Sequence, residues 1–459
     1  MNIVSKNPSK NYEIIGEVEE TTNDEILKKL NISHAVQKEW DDLGLEKRIE
    51  LMRQLHGSFE EKLEDIATLI SLEMGMPINQ SKEEVESGLN YLEWYLDNAE
   101  KYLSPEITFE NDVEIHKVFY EPKGVVASIT PWNYPFSNLI WQSCQNLIVG
   151  NVVINKPDEN TPLVYKLLED IINDSEIPTG VQQFIYGGKE SGKFLVSQDI
   201  DMICFTGNTV TGEYLYKVAA DKMIPILMEL GGSAPGIVFE DADIDNVIDS
   251  IFFNRFLNCG QICDGLKRLI VHENIFDKVV DKLKNVIENQ VIGEAIMEET
   301  TVGPLVNERQ LNTLIDQFRD AIDKGANVIC GGQMPNNLNG SYFEPTILTN
   351  IDKDMKVWKE EVFGPILPVI SFNTIEEAIL LANDTIYGLG GYIFTTDKEK
   401  FTKVSREIKT GMVSCNNCIY VIPNDPFGGV KKSGLGRNHG KYGFQELCNI
   451  KIIAFEKSL

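Results

Sequence analysis

Two cysteines stand four positions apart in the stretch FLNCGQICDG, residues 256–265. Cys259 and Cys263 could bind a metal ion, form a redox pair, or supply one nucleophile beside a bystander. A zinc site generally needs four ligands, typically two closely spaced pairs. Cys415 and Cys418 form a further pair, but Cys259 and Cys263 do not have the spacing of a zinc knuckle and the five histidines are scattered. The sequence therefore predicts no metal site.

A cysteine nucleophile needs a lowered thiol pKa or a nearby base, and hydrogen-bond donors for the oxyanion that it creates. No histidine lies near Cys263 in the sequence. Glu229 follows the apolar run IPILM, where a raised pKa would suit a general base, although a single such glutamate is more often structural. Asn133, in ITPWNYPF, directly follows an apolar run, and its amide could donate to an oxyanion or cap a turn.

The segments that must position these residues alternate between short apolar runs and helical stretches. The runs GVVASIT, NVVIN, FIYG and DMICFTG each end in polar residues or glycine. This order predicts an α/β fold with a parallel, doubly wound sheet, in which ligands bind beyond the carboxyl ends of the strands. After Gly231 we expect a second α/β domain, with a helix near 243–256, the strand LKRLIV and a helix from Ile275.

Three further segments stand outside this alternation. Residues 48–70 repeat apolar side chains at spacings of three and four, which predicts one long helix. Residues 104–122 predict a hairpin, and the C-terminal NIKIIAFEKS predicts a lone strand. The edges of both need partners, so we expect them to make subunit contacts.

The composition limits the class of protein. A length of 459 residues with 42% hydrophobic side chains suits two or three domains with a large core. The formal charge of -28 argues against nucleic acid or an anionic membrane as a partner. The N-terminus does not resemble a signal peptide, no apolar run is long enough to span a membrane, and eight cysteines do not suggest a disulfide framework. We therefore expect a cytoplasmic protein.

Six motifs occur in an order that resembles the NAD(P)-dependent aldehyde dehydrogenase superfamily over essentially the whole chain: ITPWNYPF, FTGNTVTG, MELGG, NCGQIC, EEVFGPILPV and PFGGVKKSGLGR. MGMPINQ, Ser233 and ELCNIK further resemble its succinate-semialdehyde-dehydrogenase-like branch. The resemblance implies an aldehyde dehydrogenase-like fold, with a Rossmann-type cofactor domain, an α/β catalytic domain and a small oligomerisation element that builds a homodimer or homotetramer. The implied bounds are residues 1–103 and 123–230 for the cofactor domain and 231–440 for the catalytic domain. Residues 104–122 and 441–459 form the oligomerisation element.

The resemblance also implies a mechanism. The Cys263 thiolate attacks an aldehyde to form a thiohemiacetal, while the Asn133 amide and the backbone N–H of Cys263 hold the oxyanion. Hydride then passes to the nicotinamide and leaves a thioester. Glu229 activates the water that hydrolyses the thioester, and it can first help to deprotonate Cys263. Cys259 has no required chemistry in this scheme, and we expect it to be a packing neighbour that could trap Cys263 as a disulfide under oxidation.

For the cofactor, the resemblance assigns Lys156 and Glu159 to the hydroxyls of the adenosine ribose. A carboxylate there would repel a 2′-phosphate, which favours NAD over NADP. Gly207 begins the glycine turn before a helix whose N-terminus favours the pyrophosphate, and Asn208 stands where the family usually has serine. Glu361 and Phe363 are implied to hold the nicotinamide ribose and to pack beside the ring. The remaining implied cofactor contacts are Ile129, Pro131, Trp132, Gly188 and Leu230.

The aldehyde itself is less defined. Many members of this branch that use succinic semialdehyde carry an arginine eight residues after the oxyanion asparagine, where this chain has Trp141. Arg255 could replace it or could be an ordinary helix-surface charge. Trp141, Leu257 and Phe427 predict a partly apolar entrance. Succinic semialdehyde and an uncharged aliphatic or aromatic aldehyde are therefore both candidates. Transfer of the thioester to coenzyme A is a third reading, although the presence of Glu229 favours hydrolysis.

Overall fold

The computed structural model describes residues 2–458. The strands, in chain order, are β1 Asn2–Asn7, β2 Glu13–Glu19, β3 Glu106–Glu110, β4 Glu114–Pro122, β5 Val125–Ile129, β6 Val152–Lys156, β7 Gln182–Phe184, β8 Met202–Thr206, β9 Ile226–Glu229, β10 Ala234–Val238, β11 Leu266–His272, β12 Asn327–Cys330, β13 Thr346–Thr349, β14 Ile366–Phe372, β15 Tyr392–Phe394, β16 Ser414–Cys415, β17 Gly434–Leu435 and β18 Cys448–Glu456.

The α-helices are α1 Asn23–Asp42, α2 Leu45–Glu61, α3 Leu63–Met74, α4 Ile78–Leu103, α5 Pro135–Leu139, α6 Gln145–Val149, α7 Pro162–Asn173, α8 Lys189–Ser197, α9 Thr209–Lys222, α10 Ile244–Phe256, α11 Phe276–Glu288, α12 Glu308–Asp323, α13 Lys356–Lys359, α14 Ile375–Asn383, α15 Lys398–Glu407 and α16 Gly440–Glu446. A π-helical turn, Ile140–Cys144, joins α5 to α6, and a 3₁₀ turn, Leu257–Gly260, follows α10. No helix within residues 2–458 is both long and apolar enough to cross a membrane.

The first half of the chain builds a six-stranded sheet in the order β17-β9-β8-β5-β6-β7. All neighbours are parallel except β17 and β9. Strands β5, β6 and β8 are buried along almost their whole length, as expected for a parallel sheet covered on both faces. The predicted α/β architecture is confirmed. The FIYG run lies mostly beyond β7, which ends at Phe184.

The second half builds a seven-stranded sheet in the order β12-β13-β14-β11-β10-β15-β16, again parallel except for the outer pair β12 and β13. Separate apolar cores pack on its faces. Residues 434–435 lie in the range predicted for this catalytic domain, yet they form β17 on the edge of the first sheet. Pairing of Gly434 with Glu229 brings the C-terminal loop against the end of β9.

The predicted hairpin is present as β3 and β4, and the predicted C-terminal strand is β18. They pair with each other in a three-stranded antiparallel sheet, β18-β4-β3. The predicted long helix over residues 48–70 is wrong, because the backbone turns at Lys62 (φ -106°, ψ 10°) and separates α2 from α3. Both helices keep their apolar faces in the core, so the side-chain spacing alone does not reveal this break.

Candidate active site

A cavity of about 730 Å³ opens between the two large sheets. All of the predicted catalytic and cofactor residues line this one cavity: Ile129, Pro131, Trp132, Asn133, Lys156, Glu159, Gly188, Gly207, Asn208, Glu229, Leu230, Cys263, Glu361 and Phe363. They come from the carboxyl ends of β5, β6, β8 and β9, from the loop between β7 and α8, from the loop before β11 and from the loop after α13. The structure therefore collects residues more than 200 positions apart into one cleft.

Cys263 lies between the 3₁₀ turn and β11, where the residue is half-buried and lines this cleft. The turn before it is unusual, because Asn258 and Cys259 have left-handed backbone angles (φ 51° and 54°). The backbone of Cys263 lies against Gly232, where an added Cβ would come within 2.3 Å of the Cys263 carbonyl oxygen. A glycine at position 232 is thus required for this approach.

The ionisation of Cys263 is unfavourable in the free protein. Burial raises the pKa of the Cys263 thiol well above its usual range, and the nearby Asp264 carboxylate raises it further. Lys267 acts in the opposite direction. Because the thiolate is the reactive form, a group must remove this proton during the reaction.

Asn133 lies in the loop between β5 and α5 with only 6% of its surface exposed. Its Nδ2 donates to the Gln261 carbonyl at 3.0 Å, and Asn258 Nδ2 donates to the Asn133 carbonyl at 2.9 Å. These bonds connect the Asn133 loop to the loop that carries Cys263. An amide nitrogen has two hydrogens, so one of them stays available for an oxyanion near the sulfur.

Glu229 ends β9 and is almost fully buried, and neither of its carboxylate oxygens has a hydrogen-bond partner among the described residues. Burial raises the pKa of Glu229 well above its usual range, Arg437 lowers it and Asp264 raises it. Gly428 approaches so closely that an added Cβ would lie 2.8 Å from Glu229 Oε1. A buried, unpaired carboxylate with a raised pKa has the properties of a general base.

Glu361 is held by groups that the sequence did not single out. Lys267 Nζ lies 2.6 Å from Glu361 Oε1, and the Gly232 backbone N–H donates to the same oxygen at 3.0 Å. The Lys267 ammonium also lies 4.7 Å from the centre of the Phe363 ring. Phe363 in turn makes an edge contact with Trp132, at 5.6 Å between ring centres. These contacts fix the side chains at the predicted nicotinamide end of the cleft.

The other end of the cleft fits the rest of a dinucleotide. Lys156 Nζ lies 3.6 Å from the Glu159 carboxylate, and Asp158 lines the same end. At the start of α9, Asn208 accepts from the Thr211 backbone N–H at 2.9 Å, so its side chain caps the helix whose first turn borders the cavity. Gly212, which follows Thr211, packs closely on Leu230, since an added Cβ would lie 2.6 Å from the Leu230 side chain. A helix N-terminus with close backbone access suits a pyrophosphate.

The predicted aldehyde-pocket residues lie outside this cleft lining. Trp141, in the π-helical turn, and Phe427 are neighbours, with ring centres 5.6 Å apart. His439 lies 4.5 Å from Trp141 and is fully buried, which lowers its pKa to about 3 and keeps it neutral. Tyr91 completes this aromatic cluster at 4.7 Å from His439. Leu257 is half-buried at the start of the 3₁₀ turn.

Both roles that the sequence suggested for Arg255 are wrong. It is neither a pocket cation nor a surface charge, since it has no exposed surface and its guanidinium donates to the carbonyl oxygens of Gly364 and Ile366. These bonds tie α10 to the loop before β14. The side chain is thus structural, and it is not available to bind a substrate carboxylate.

Sequence reasoning missed Lys267, Asp264, Tyr91 and His439. Lys267 and Asp264 lie within four residues of Cys263, so closeness to the nucleophile was a usable signal for both. Tyr91 and His439 are 348 positions apart and meet only because α4 packs beside the C-terminal loop. Among residues 2–458, no group of three or more His, Cys, Asp or Glu side chains is arranged to hold a metal ion.

A doubly wound cofactor domain and a second α/β domain share one cleft, which is lined by a cysteine, a buried glutamate and a helix N-terminus. This arrangement is typical of an NAD(P)-dependent oxidoreductase. Comparison with known proteins specifies the family. The chain belongs to the aldehyde dehydrogenase family, whose model matches residues 1–453. The predicted family, enzyme class and NAD(P) cofactor are thereby confirmed.

Two similar proteins illustrate the range of the family. Aminoaldehyde dehydrogenase 1, peroxisomal, from Pisum sativum is 36% identical over 97% of this chain and 91% of its own length. Succinate-semialdehyde dehydrogenase, mitochondrial, from Oryza sativa subsp. japonica is 35% identical over 92% of this chain and 80% of its own. Among solved structures, a Staphylococcus aureus betaine aldehyde dehydrogenase in complex with NAD+ superimposes with a TM-score of 0.95, at 31% identity, over 100% of this chain and 95% of the other.

Proposed function

We propose that this enzyme is a non-phosphorylating dehydrogenase that oxidises an aldehyde to a carboxylic acid and releases the product by hydrolysis. The observation that carries this proposal is the presence of Cys263, Asn133 and Glu229 in the same cleft as the dinucleotide-binding residues. A thiol that lines the cleft, an amide donor and a buried base are the groups that covalent aldehyde oxidation requires.

The side chains divide the chemistry as follows. The sulfur of Cys263 adds to the aldehyde carbonyl, and the free hydrogen of the Asn133 amide stabilises the resulting oxyanion. The bound NAD(P) supplies a hydride acceptor. Glu361 and Phe363 orient the nicotinamide end, held in turn by Lys267. Glu229 then accepts a proton from the water that attacks the thioester, because burial raises the pKa of its carboxyl and so makes its carboxylate a stronger base.

For the substrate, we propose an aldehyde without a carboxylate at its far end. Arg255 is committed to backbone carbonyls, and the aromatic cluster of Tyr91, Trp141 and Phe427 offers rings rather than cations. The formal charge of -28 also disfavours approach of an anion. This supports an uncharged aldehyde, or one with a cationic end that could contact the rings.

Three four-carbon aldehydes test the substrate proposal: butanal, 4-aminobutanal and succinic semialdehyde. They have similar length and differ in the charge of the far end, so the order of their kcat/KM values reports charge recognition. We expect succinic semialdehyde to be at least about tenfold poorer than the better of the other two, a difference of about 1.4 kcal/mol. Equal or better use of succinic semialdehyde would contradict the proposal.

Succinic semialdehyde remains the second candidate, favoured by the similarity to the rice succinate-semialdehyde dehydrogenase. In that case the carboxylate would need uncharged donors such as the unpaired Tyr91 hydroxyl and Trp141 Nε1. Transfer of the thioester to coenzyme A is the third possibility. Acyl-CoA formation faster than acid formation, in an assay that contains coenzyme A, would establish it and exclude hydrolysis as the main route.

We further propose a preference for NAD over NADP. Asp158 and Glu159 place two carboxylates at the ribose end of the cleft, where a 2′-phosphate would be repelled. We expect kcat/KM to be higher with NAD than with NADP. Glu159→Gln should lower the ratio of the kcat/KM with NAD to the kcat/KM with NADP. A wild-type enzyme that uses NADP equally well would contradict this preference.

We also propose that the three-stranded sheet mediates a homodimer or homotetramer. Ile107, Ile450 and Ile452 leave 55% to 65% of their surface exposed on this sheet, which is unfavourable in a monomer. Sedimentation should show an oligomer that Ile452→Glu weakens, and a monomeric wild type would contradict it.

A cytoplasmic location remains part of the proposal and is supported by eight unpaired cysteines.

A further inference from the structure

Asp264 is a buried carboxylate directly beside the nucleophile. Only 7% of its surface is exposed, and the Cys263 thiol donates toward its Oδ1, with 3.8 Å between Sγ and Oδ1. Among the described residues, no lysine, arginine or histidine nitrogen lies within 4.0 Å of this carboxylate. Lys267, the nearest cation in sequence, is paired with Glu361 instead.

A structural carboxylate in the same molecule is held quite differently. Glu73, also buried, accepts from Ser5 Oγ and from the backbone N–H groups of Leu163 and Val164, and so it caps the start of α7. Those donors offset the loss of hydration. Asp264 does not cap a helix in this way, although its own backbone N–H, Lys267 and the Tyr420 hydroxyl lower its pKa against the larger effect of burial. A buried acid next to a reactive group is a candidate for a functional role.

Glu229 is less well placed to receive the thiol proton. Neither of its carboxylate oxygens has a hydrogen-bond partner in residues 2–458, so it makes no such contact with Cys263 Sγ. We propose that Asp264 is a second catalytic base, which accepts the thiol proton of Cys263 during attack on the aldehyde and leaves Glu229 to activate the hydrolytic water. This inference rests on the proposed aldehyde dehydrogenase function.

The S–H bond of Cys263 breaks, its proton goes to Asp264, and the sulfur electron pair forms the S–C bond. The carbonyl π pair moves to oxygen, where Asn133 and the Cys263 backbone N–H stabilise it. NAD(P), when bound, would accept the hydride from this carbon, and the oxyanion pair would restore the C=O bond of the thioester. Water next gives a proton to Glu229 and adds to the thioester. The C–S bond then breaks, the departing sulfur recovers the proton held by Asp264, and Glu229 releases its proton to solvent.

The acidities of the two groups suit this transfer. Burial raises the pKa of Asp264, which makes its carboxylate a stronger base than an exposed aspartate. The pKa of the Cys263 thiol is raised as well, so proton transfer is favourable only together with S–C bond formation, as in general base catalysis. The other groups that face Cys263 are Glu229 from β9, Lys267 from β11, Glu361 from the loop after α13, Tyr134 from the loop after β5, Tyr392 from β15 and Tyr420 from the loop after β16.

Rapid mixing of enzyme, NAD+ and aldehyde separates the two bases, because the first turnover of NADH reports acylation and the later rate includes hydrolysis. Asp264→Asn should slow the first turnover by about 100-fold or more. Glu229→Gln should keep a rapid first turnover but lose most of the steady-state rate of NADH formation. Asp425→Asn removes an exposed acid of the C-terminal loop and serves as the charge control, with first-turnover rates near wild type.

The pH dependence gives a readout that loss of packing would not produce. In Asp264→Asn, hydroxide must remove the thiol proton, so the first-turnover rate should climb about tenfold per pH unit toward the wild-type value. Asp264→Glu keeps the acid and should retain much of the rate. A first-turnover rate in Asp264→Asn that equals the wild-type rate would overturn the inference. So would a first-turnover rate that falls as far in Glu229→Gln as in Asp264→Asn.

Two outcomes separate this inference from the proposed function. If wild type forms no NADH with any aldehyde, the proposed function fails. If wild type is active and Asp264→Asn matches it, only the second base is refuted. Should Asp264→Asn not fold, Asp264→Glu decides, because it must shift the pH midpoint of the first turnover and an unchanged midpoint overturns the inference.

Discussion

Lys267 Nζ lies 2.6 Å from Glu361 Oε1 although the two residues are 94 positions apart in the chain. Only 1% of the Lys267 side chain is exposed, and its ammonium also faces the Phe363 ring. Burial lowers the pKa of Lys267, while Glu361 raises it. One buried cation therefore positions both side chains predicted to contact the nicotinamide end of the cofactor.

Lys267→Met should weaken cofactor binding, because Glu361 loses its partner and becomes free to turn away. We expect the Kd and KM for NAD+ to rise about tenfold, equivalent to about 1.4 kcal/mol. Lys400→Met is the matched control, since Lys400 makes a similar pair with Asp241 at 2.6 Å and faces the Phe239 ring at 4.9 Å, far from the cleft. An equal rise in KM in both variants would contradict the positioning role.

Cys263→Ala should abolish aldehyde oxidation while NAD+ binding stays near wild type, because only the nucleophile is removed. Cys259→Ala is the matched control, since this thiol is buried and its pKa is raised by burial to about 12. It should lower the free energy of unfolding by about 1 kcal/mol and keep turnover. NADH formation and thermal unfolding measure the two effects, and substantial oxidation by Cys263→Ala would refute the assignment.

Arg255→Ala should destabilise the protein without changing substrate preference. Its removal takes the guanidinium hydrogen bonds away from the Gly364 and Ile366 carbonyls and creates a cavity, at a cost of about 3 kcal/mol or more. Arg268→Ala, which removes another buried guanidinium bound to backbone carbonyls, should lose a comparable amount. A changed ratio of kcat/KM for succinic semialdehyde to butanal in Arg255→Ala alone would restore Arg255 as a substrate residue.

Glu84 should make stability depend on pH. It accepts from the Ser137 backbone N–H at the start of α5, and burial raises its pKa from 4.5 to about 8. The folded chain thus holds this proton more tightly than the unfolded chain, so the free energy of unfolding falls as pH rises from about 4.5 to 8.

Glu84→Gln removes this titration. Relative to wild type, the variant should gain at least about 1 kcal/mol of stability between pH 5 and pH 8. Denaturant unfolding at both pH values measures the change, and the exposed Glu60→Gln should show none. If the difference in free energy of unfolding between Glu84→Gln and wild type did not vary with pH, it would contradict the raised pKa of Glu84.

The sequence by itself determined the family, the enzyme class and the architecture. Cys263, Glu229 and Asn133 were predicted as catalytic residues because the motifs that contain them resemble the aldehyde dehydrogenase superfamily. The alternation of apolar runs and helices predicted the doubly wound sheet. Such signals are local, since a buried strand and the polar residue at its end are adjacent in the chain. The sequence also supplied the hairpin and the lone strand of the third sheet.

Only the tertiary structure decided the roles of charges and aromatic rings. Arg255 has helical spacing that fits a surface position, yet the fold buries it against β14. Lys267 meets Glu361, and Tyr91 meets His439, through contacts between distant segments that no local pattern records. The same is true of Asp264, whose position next to Cys263 was visible, but whose burial without a cation depends on the whole surrounding cleft.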